Sequence, residues 1–344
     1  MMKSSPFHKV MNRRATTMEK YLSVIVIAYI AIVAVKNPLF FSFETFFDIV
    51  RGGSGTMLLA LGVLVVLVSG GIDVSFTAVA LVSAYASVLT MLKLEVDSIF
   101  LGLVISIVVG TVLGALNAVI IQILRLPTLI VTLGTMSVYH GLMAVIFGTK
   151  SYPMSQMPQS MVKFGSADMI TINVGDARYG LTIFFPIVVA AIILTWFILY
   201  RTMLGRRVFA VGSNEESASR LGINIFRTKL FVYSYTGALA GLMGVMYFSE
   251  IKDVKLVSPL MGAELLIIAA VVIGGAKLTG GEGTVLGAIL GVVVFELFQT
   301  TLVFLGLSSS WNDLFFGAVL LASLMVMYRR QRIYDRKNLV FSAN

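Results

Sequence analysis

The sequence predicts an all-α, polytopic transmembrane helical bundle of about ten spans. Three observations predict it. Of 344 residues, 58% are hydrophobic and only 12% are charged, with a mean hydropathy of +0.95, whereas a soluble domain is about 25% charged. A soluble core cannot hide this much apolar surface, and a disordered chain would not carry it. The apolar runs are continuous and about 20 residues long, the length of a membrane helix, not the alternating ~10-residue segments of a membrane barrel. Between them lie short stretches rich in glycine, proline and charge.

The elements follow in order. Residues 1–20 are polar and basic (Lys3, Lys9, Arg13, Arg14, Lys20) and precede an apolar run from Tyr21 to Val35. No small-x-small cleavage site follows and many spans do, so this reads as an uncleaved first span. Residues 39–50 carry five phenylalanines with Glu44 and Asp48 and read as an interfacial helix. From Thr56 to Leu92 there is one charge, Asp73, and Gly70-Gly71 divides the run into spans at 54–69 and 74–92. Spans at 97–123 and 128–147 flank Arg125-Leu126-Pro127, and residues 148–178 form the longest polar loop. A span at 181–200 leads into a basic segment, 201–229. Spans at 230–249, 260–275, 284–304 and 311–328 complete the set, with a Gly-rich loop at 274–283 and a basic tail at 329–344.

Ten spans put both termini on one side. That side then holds 18 of the 26 lysines and arginines: those of the N-terminus, 201–229 and the tail, with Arg125 and Lys277. The positive-inside rule makes it cytoplasmic and makes 148–178 extracytoplasmic. Orientation in a membrane therefore accounts for the net charge of +9, and no nucleic-acid partner is implied. The whole chain, 1–344, reads as one transmembrane domain. The word GTVLGA occurs at 110–115 and at 283–288, in spans that run in opposite directions. It reads either as an inverted repeat of spans two to five with seven to ten or as chance in a Gly-rich apolar composition.

Composition also narrows the chemistry. With no cysteine, thiolate catalysis, disulfides and Cys-ligated metals are excluded, and His8 and His140 are too few for a histidine metal centre. No Ser-His-Asp or paired-carboxylate constellation stands out, so an enzyme is not expected. The dipeptide Gly-Lys is absent, so there is no Walker A loop and no cofactor expected here; ATP, if used, is bound by a partner subunit.

Asp73, in GGIDVS (70–75), is the most informative charge. A carboxylate at membrane depth costs about 2.5–3.5 kcal/mol on insertion scales. Two readings stand open. Gly70, Gly71, Asp73 and Ser75 line a cavity at an interrupted helix, or they form a hairpin in which Asp73 or Ser75 caps the next helix. GGAKLTGGEG (274–283) resembles a phosphate cradle but lacks its spacing, and reads better as close helix packing. In 205–227, Ser213 with Glu216 makes a capping box. Glu215 and Glu216 suit a first helical turn, Arg220 a last one, and Gly222 a stop. A helix over 214–221 follows, too short to stand alone, so it docks on a partner subunit or on the protein's own membrane surface. Glu264 and Glu296 lie in or near apolar runs, His140 reads as a packed residue, and Trp196 and Trp311 read as interface anchors.

Five stretches together carry a resemblance: ALGVLVVLVSGGIDVS (60–75), LRLPTLIVTLGTMSVYHGL (124–142), GRRVFAVGSNEESASRLGIN (205–224), AAVVIGGAKLTGGEGTVLGA (269–288) and WNDLFFGAVLLASLMV (311–326). In order and spacing the chain resembles the permease subunits of bacterial ATP-binding-cassette sugar importers, of the ribose, xylose, galactose and autoinducer type. The resemblance implies a fold like that of cobalamin-importer permeases, in the bacterial inner membrane. It implies a second permease copy or homologous permease, a cytoplasmic ATP-binding subunit and an extracytoplasmic solute-binding protein. It also implies that Asn214, Glu215, Glu216, Ala218, Leu221 and Gly222 contact the ATPase. The family's GGIDLSVG reads GGIDVSFT here, with Phe76-Thr77 in place of a small pair. The rival reading is a self-sufficient secondary transporter with Asp73 as its ion or proton site.

Overall fold

Inside a membrane a helix must satisfy its backbone internally, and each apolar face then meets lipid or a neighbour. The computed structural model of the chain describes residues 6–36, 38–148, 150–174, 177–255 and 260–301, with 311, 314, 317, 318, 321 and 325 beyond them. The expected tail, 329–344, and most of the span expected at 311–328 lie outside the described residues. The first half contains α1 (Pro6–Lys36), α2 (Phe43–Val68), α3 (Phe76–Lys93), α4 (Ile99–Leu124) and α5 (Thr128–Leu142), which a π-helical turn extends to Phe147. After α6 (Gln159–Ser166) come α7 (Phe184–Arg201), α8 (Met203–Ser213), α9 (Glu215–Arg220) and α10 (Ile225–Ile251). The described part closes with α11 (Glu264–Ile273) and α12 (Val285–Thr301).

Six of these helices are long and apolar enough to cross a membrane: α2, α3, α4, α5 with its π turn, α7 and α10. The apolar part of α1, with α11 and α12, is shorter. The chain is thus a multi-span helical membrane protein. Several expected boundaries move. The interfacial helix expected at 39–50 is not separate: after a 3-10 turn at Pro38–Phe41, Ser42 caps α2 by accepting the Thr45 amide at 3.1 Å, and α2 runs unbroken to Val68. Helix α1 begins at Pro6, well before the apolar run, and its Glu19 accepts from Thr284 at 2.7 Å. Helix α10 begins five residues earlier than expected, at Ile225, because Asn224 caps it through the Arg227 amide at 2.9 Å.

Helices α2, α3 and α10 form the centre of the bundle. Helix α4 shows how a lipid-facing helix joins it. Its buried residues are Gly102, Ser106, Gly110, Gly114, Asn117, Ala118 and Ile121, one narrow stripe, while Phe100, Val108 and Ile123 are exposed. Small side chains let backbones approach, which is the main source of helix association where lipid is as apolar as leucine. A Cβ on Gly110 would strike the Gly237 carbonyl, one on Gly114 the Tyr233 carbonyl, and the Ser106 hydroxyl donates to the Gly241 carbonyl at 2.7 Å. The two GTVLGA words differ in setting. The first lies within α4 against α10, whereas the second straddles the start of α12, where Gly287 packs on Gly274 of the α11 turn.

The 148–178 segment is structured rather than an open loop, and it holds most of the departures from an all-α chain. Strand β1 (Tyr152–Pro153) pairs antiparallel with β4 (Asp253–Val254), and β2 (Asp168–Val174) with β3 (Ala177–Thr182). Polar ties hold this cap to the bundle. Arg51 of α2 reaches Asp168 at 2.8 Å and the Gly165 carbonyl at 3.2 Å, and Asp97 accepts the Ser160 amide at 2.8 Å.

Candidate functional site

Helix α2 ends in a Schellman turn. The Gly71 amide donates to Val66 at 3.1 Å and the Gly70 amide to Leu67 at 2.9 Å, with Gly70 at φ +83°. This geometry favours glycine because a Cβ is strained there. The chain then runs through Ile72–Val74 without helical hydrogen bonds, and α5 supplies them. Thr128 accepts the Ile72 amide at 2.8 Å and Thr132 accepts the Val74 amide at 3.3 Å. The two threonines stand four apart and so share one helix face.

Asp73 is buried, and its Oδ1 accepts both the amide and the hydroxyl of Ser75 at 2.7 Å each. The Ser75 oxygen in turn accepts from Asn117 Nδ2 at 2.7 Å, and the Tyr139 hydroxyl donates to Asn117 Oδ1 at 2.8 Å. A buried polar chain thus ties the α2–α3 loop to α4 and α5. Gly71, Asp73 and Ser75 are enclosed by protein, and only Gly70 is exposed. Thr77, the departure from the family pattern, donates its hydroxyl to the Glu264 carboxylate, and both groups are buried. Glu296 accepts from Thr56 at 2.7 Å. Nε2 of His140 is buried without a hydrogen-bond partner, and no cluster that could hold a metal occurs among the described residues.

Three glycine stretches far apart in sequence meet at this loop. The Gly281 amide donates to the Val68 carbonyl at 3.0 Å. A Cβ on Gly212, near the end of α8, would strike that same carbonyl. A Cβ on Gly280 would lie 2.6 Å from the Gly70 Cα. The Gly-rich 274–283 loop is therefore a packing device. Glu282 closes it through Lys277, at 2.6 Å between side chains and 3.0 Å between their backbones.

One residue separates Gly212 from the cap of α9. The expected capping box of Ser213 and Glu216 does not form. Ser213 is still helical, and its hydroxyl donates back to the Phe209 carbonyl at 2.8 Å. The cap is Asn214, extended at φ −164°, which accepts the Ser217 amide at 2.7 Å. The helix is accordingly Glu215–Arg220, shorter than the expected 214–221. Such a cap contributes about 1 kcal/mol. Glu216 pairs instead with Arg220 at 2.6 Å, an exposed pair contributing about 0.3–0.5 kcal/mol. Glu215 reaches Lys229 of α10 at 2.8 Å, Ala218 is buried, and Gly222 at φ +79° ends the helix. Leu221 is left 80% exposed at the tip.

Sequence reasoning named Gly70, Gly71, Asp73 and Ser75 and the α9 residues. It missed Thr128, Thr132, Asn117, Tyr139 and Gly212. Only the threonines carried a signal, as an i,i+4 pair directly after Pro127.

Comparison with known proteins agrees across most of the chain. Residues 45–324 match the family described as the branched-chain amino acid transport system permease component. The autoinducer 2 import system permease protein LsrC of Enterobacter sp. strain 638 is 31% identical over 314 residues, covering 90% of this chain and 87% of that protein. The ribose import permease protein RbsC of Haemophilus influenzae is 31% identical over 330 residues, covering 94% and 97%. No solved structure matches the chain.

Proposed function

The chain belongs to the family described as branched-chain amino acid transport system permease components, and from that premise we propose how this permease subunit of an ATP-driven sugar importer works. Its solute is a small sugar or sugar-like molecule, of the kind named for its ribose and autoinducer 2 relatives. The chain works with a second permease copy or a homologous permease, a cytoplasmic subunit that binds the ATP, and an extracytoplasmic protein that delivers the solute. It crosses the inner membrane ten times with both termini cytoplasmic. The nine apolar helices α1–α5, α7 and α10–α12 support that count, as do the apolar run at 311–328 in the sequence and the lysine and arginine bias.

One observation carries the coupling mechanism. Leu221 stands exposed on a helix fixed by Asn214, by Glu215–Lys229 and by buried Ala218, just beyond the Gly212 contact with the α2–α3 loop. An exposed leucine on an anchored helix gains by burying its apolar surface in a cleft of the ATP-binding subunit. Closure of that subunit on ATP then displaces α9 and α8, and the displacement reaches the loop around Asp73 through backbone contacts. The permease re-packs between inward-open and outward-open forms and does no covalent chemistry.

The test is purification of the chain from its native membrane in mild detergent. A Walker-motif ATPase is expected in near-stoichiometric amount, and Leu221→Asp is expected to remove it while the chain stays folded. An undiminished ATPase yield with Leu221→Asp contradicts the assigned contact.

A further inference from the structure

Two tyrosines flank the loop around Asp73, and they are satisfied very differently. On the side of α4 and α5, the Tyr139 hydroxyl lies 2.8 Å from Asn117 Oδ1 and 2.9 Å from the Leu113 carbonyl. On the side of α10, Tyr233 is only 1% exposed, yet its hydroxyl completes no well-formed hydrogen bond. A buried tyrosine hydroxyl ordinarily finds a partner, and one that does not calls for a reason. The loop is thus held firmly by α4 and α5 and loosely by α10.

The surroundings of Tyr233 supply the reason. A Cβ on Gly71 would lie 2.6 Å from its hydroxyl oxygen and 3.6 Å from the Thr128 methyl group, so the hydroxyl is pressed on the loop backbone beside Thr128. The Thr128 oxygen accepts the Ile72 amide at 2.8 Å and has a second lone pair free to accept. One turn before Tyr233, and on the same helix face, stands Lys229. Its ammonium donates to both carboxylate oxygens of Glu215 in the first turn of α9, at 3.0 and 2.8 Å. The charges of Asp73 and of Glu215 both reach Tyr233, which lies between them. A Cβ on Gly114 of α4 would strike the Tyr233 carbonyl, so the two backbones touch with no side chain between them to absorb a push on Lys229.

We propose that Tyr233 is a positioning residue for transport: it links α9, through Lys229, to the loop around Asp73, and its hydroxyl gains a hydrogen bond to Thr128 only after α9 has moved. The inference rests on the coupling reading above and adds a second arm to it, separate from the Gly212 contact. Displacement of α9 pulls the first turn of α10 by its lysine. A small shift then completes the Tyr233–Thr128 bond and ties α10 to α5 across Ile72. Packed contacts of this kind have discrete arrangements, so a small shift at one end is not lost on the way.

The test is hydrogen exchange of the peptide covering 70–75 in the purified complex with its ATP-binding subunit, with and without ATP plus vanadate. In the parent chain the trapped nucleotide is expected to slow exchange of the Ile72 and Val74 amides about fivefold or more. Tyr233→Phe keeps the ring and is expected to abolish that slowing while the ATPase stays bound in the same yield. Lys229→Gln is expected to abolish it as well, and Lys229→Arg, which can still pair with Glu215, to restore it. A parent-like response in Tyr233→Phe overturns the proposal, and one in Lys229→Gln overturns the link to α9. Faster exchange throughout α4 and α10 of Tyr233→Phe without nucleotide makes Tyr233 a packing residue and also overturns it. A parent complex whose loop does not respond to nucleotide at all overturns the coupling reading itself.

Discussion

Replacing Gly212 with valine is expected to lower solute uptake about tenfold or more while leaving the chain in the membrane and its ATP-binding partner bound. The added Cβ would strike the Val68 carbonyl and lie 2.8 Å from the Gly281 amide nitrogen and 2.9 Å from the Ser69 carbonyl carbon. Every one of these atoms is backbone, so no side chain can rotate away. Relief requires α8 to move off the α2–α3 loop and the 280–281 turn. Overpacking of this kind costs about 1–3 kcal/mol, and a coupling change of that size is about 5- to 150-fold. The loss is expected to fall on coupling because α9, the proposed partner contact, lies beyond the clash. Alanine at Gly134 or Gly141, where nothing lies within 4 Å, is expected to leave uptake unchanged. Full uptake by Gly212→Val, measured in vesicles at equal expression, would remove the junction from the transmission path.

The second large effect is at Asp73, and it depends on which residue replaces it. Leucine is expected to abolish uptake. It leaves the buried amide and hydroxyl of Ser75 without their acceptor and disturbs Asn117 and Tyr139 one and two links away. Each buried polar group so stranded costs about 1–3 kcal/mol. Asparagine is expected to retain most of the uptake, because its Oδ1 can accept the same two bonds in the same place. The donors to Asp73 are uncharged, so the geometry uses the carboxylate as an acceptor that shapes a loop. A secondary transporter with Asp73 as its ion site requires the opposite result, since asparagine cannot exchange a proton or hold a cation with full charge. Uptake by the two variants therefore separates the mechanisms.

Much of this was legible in the sequence, and the physical reason is the bilayer. Twenty-residue apolar runs have few alternatives in lipid, so α3, α4, α5 and α7 fall within a few residues of their expected bounds. The boundaries that moved were set by caps. Ser42 starts α2 where five phenylalanines pointed to the interface, and Asn224 starts α10 inside a segment read as loop. The α9 cap slipped by one residue for the same reason: Ser213 and Asn214 both suit the position, and only the backbone decides between them. Asp73 was found because an isolated charge in an apolar run is conspicuous. Ser75, two residues on, was named with it, but Asn117 and Tyr139 were not, because they lie on α4 and α5 and meet Ser75 only when those helices pack against the start of α3. The meeting of Gly70, Gly212 and Gly280 is likewise a tertiary fact: glycine content marked the stretches of Gly70 and Gly280, whereas Gly212 lay in a segment marked only by its charges and capping residues.

The most direct test of the account is the energy source of transport. The chain, reconstituted with its co-purifying partners in proteoliposomes, is supplied with ATP and a radiolabelled neutral sugar, and uptake is measured with vanadate and separately with a protonophore. Uptake that stops with vanadate and continues when the proton gradient is collapsed is the expected result. Uptake that continues under vanadate and stops with the protonophore would contradict it.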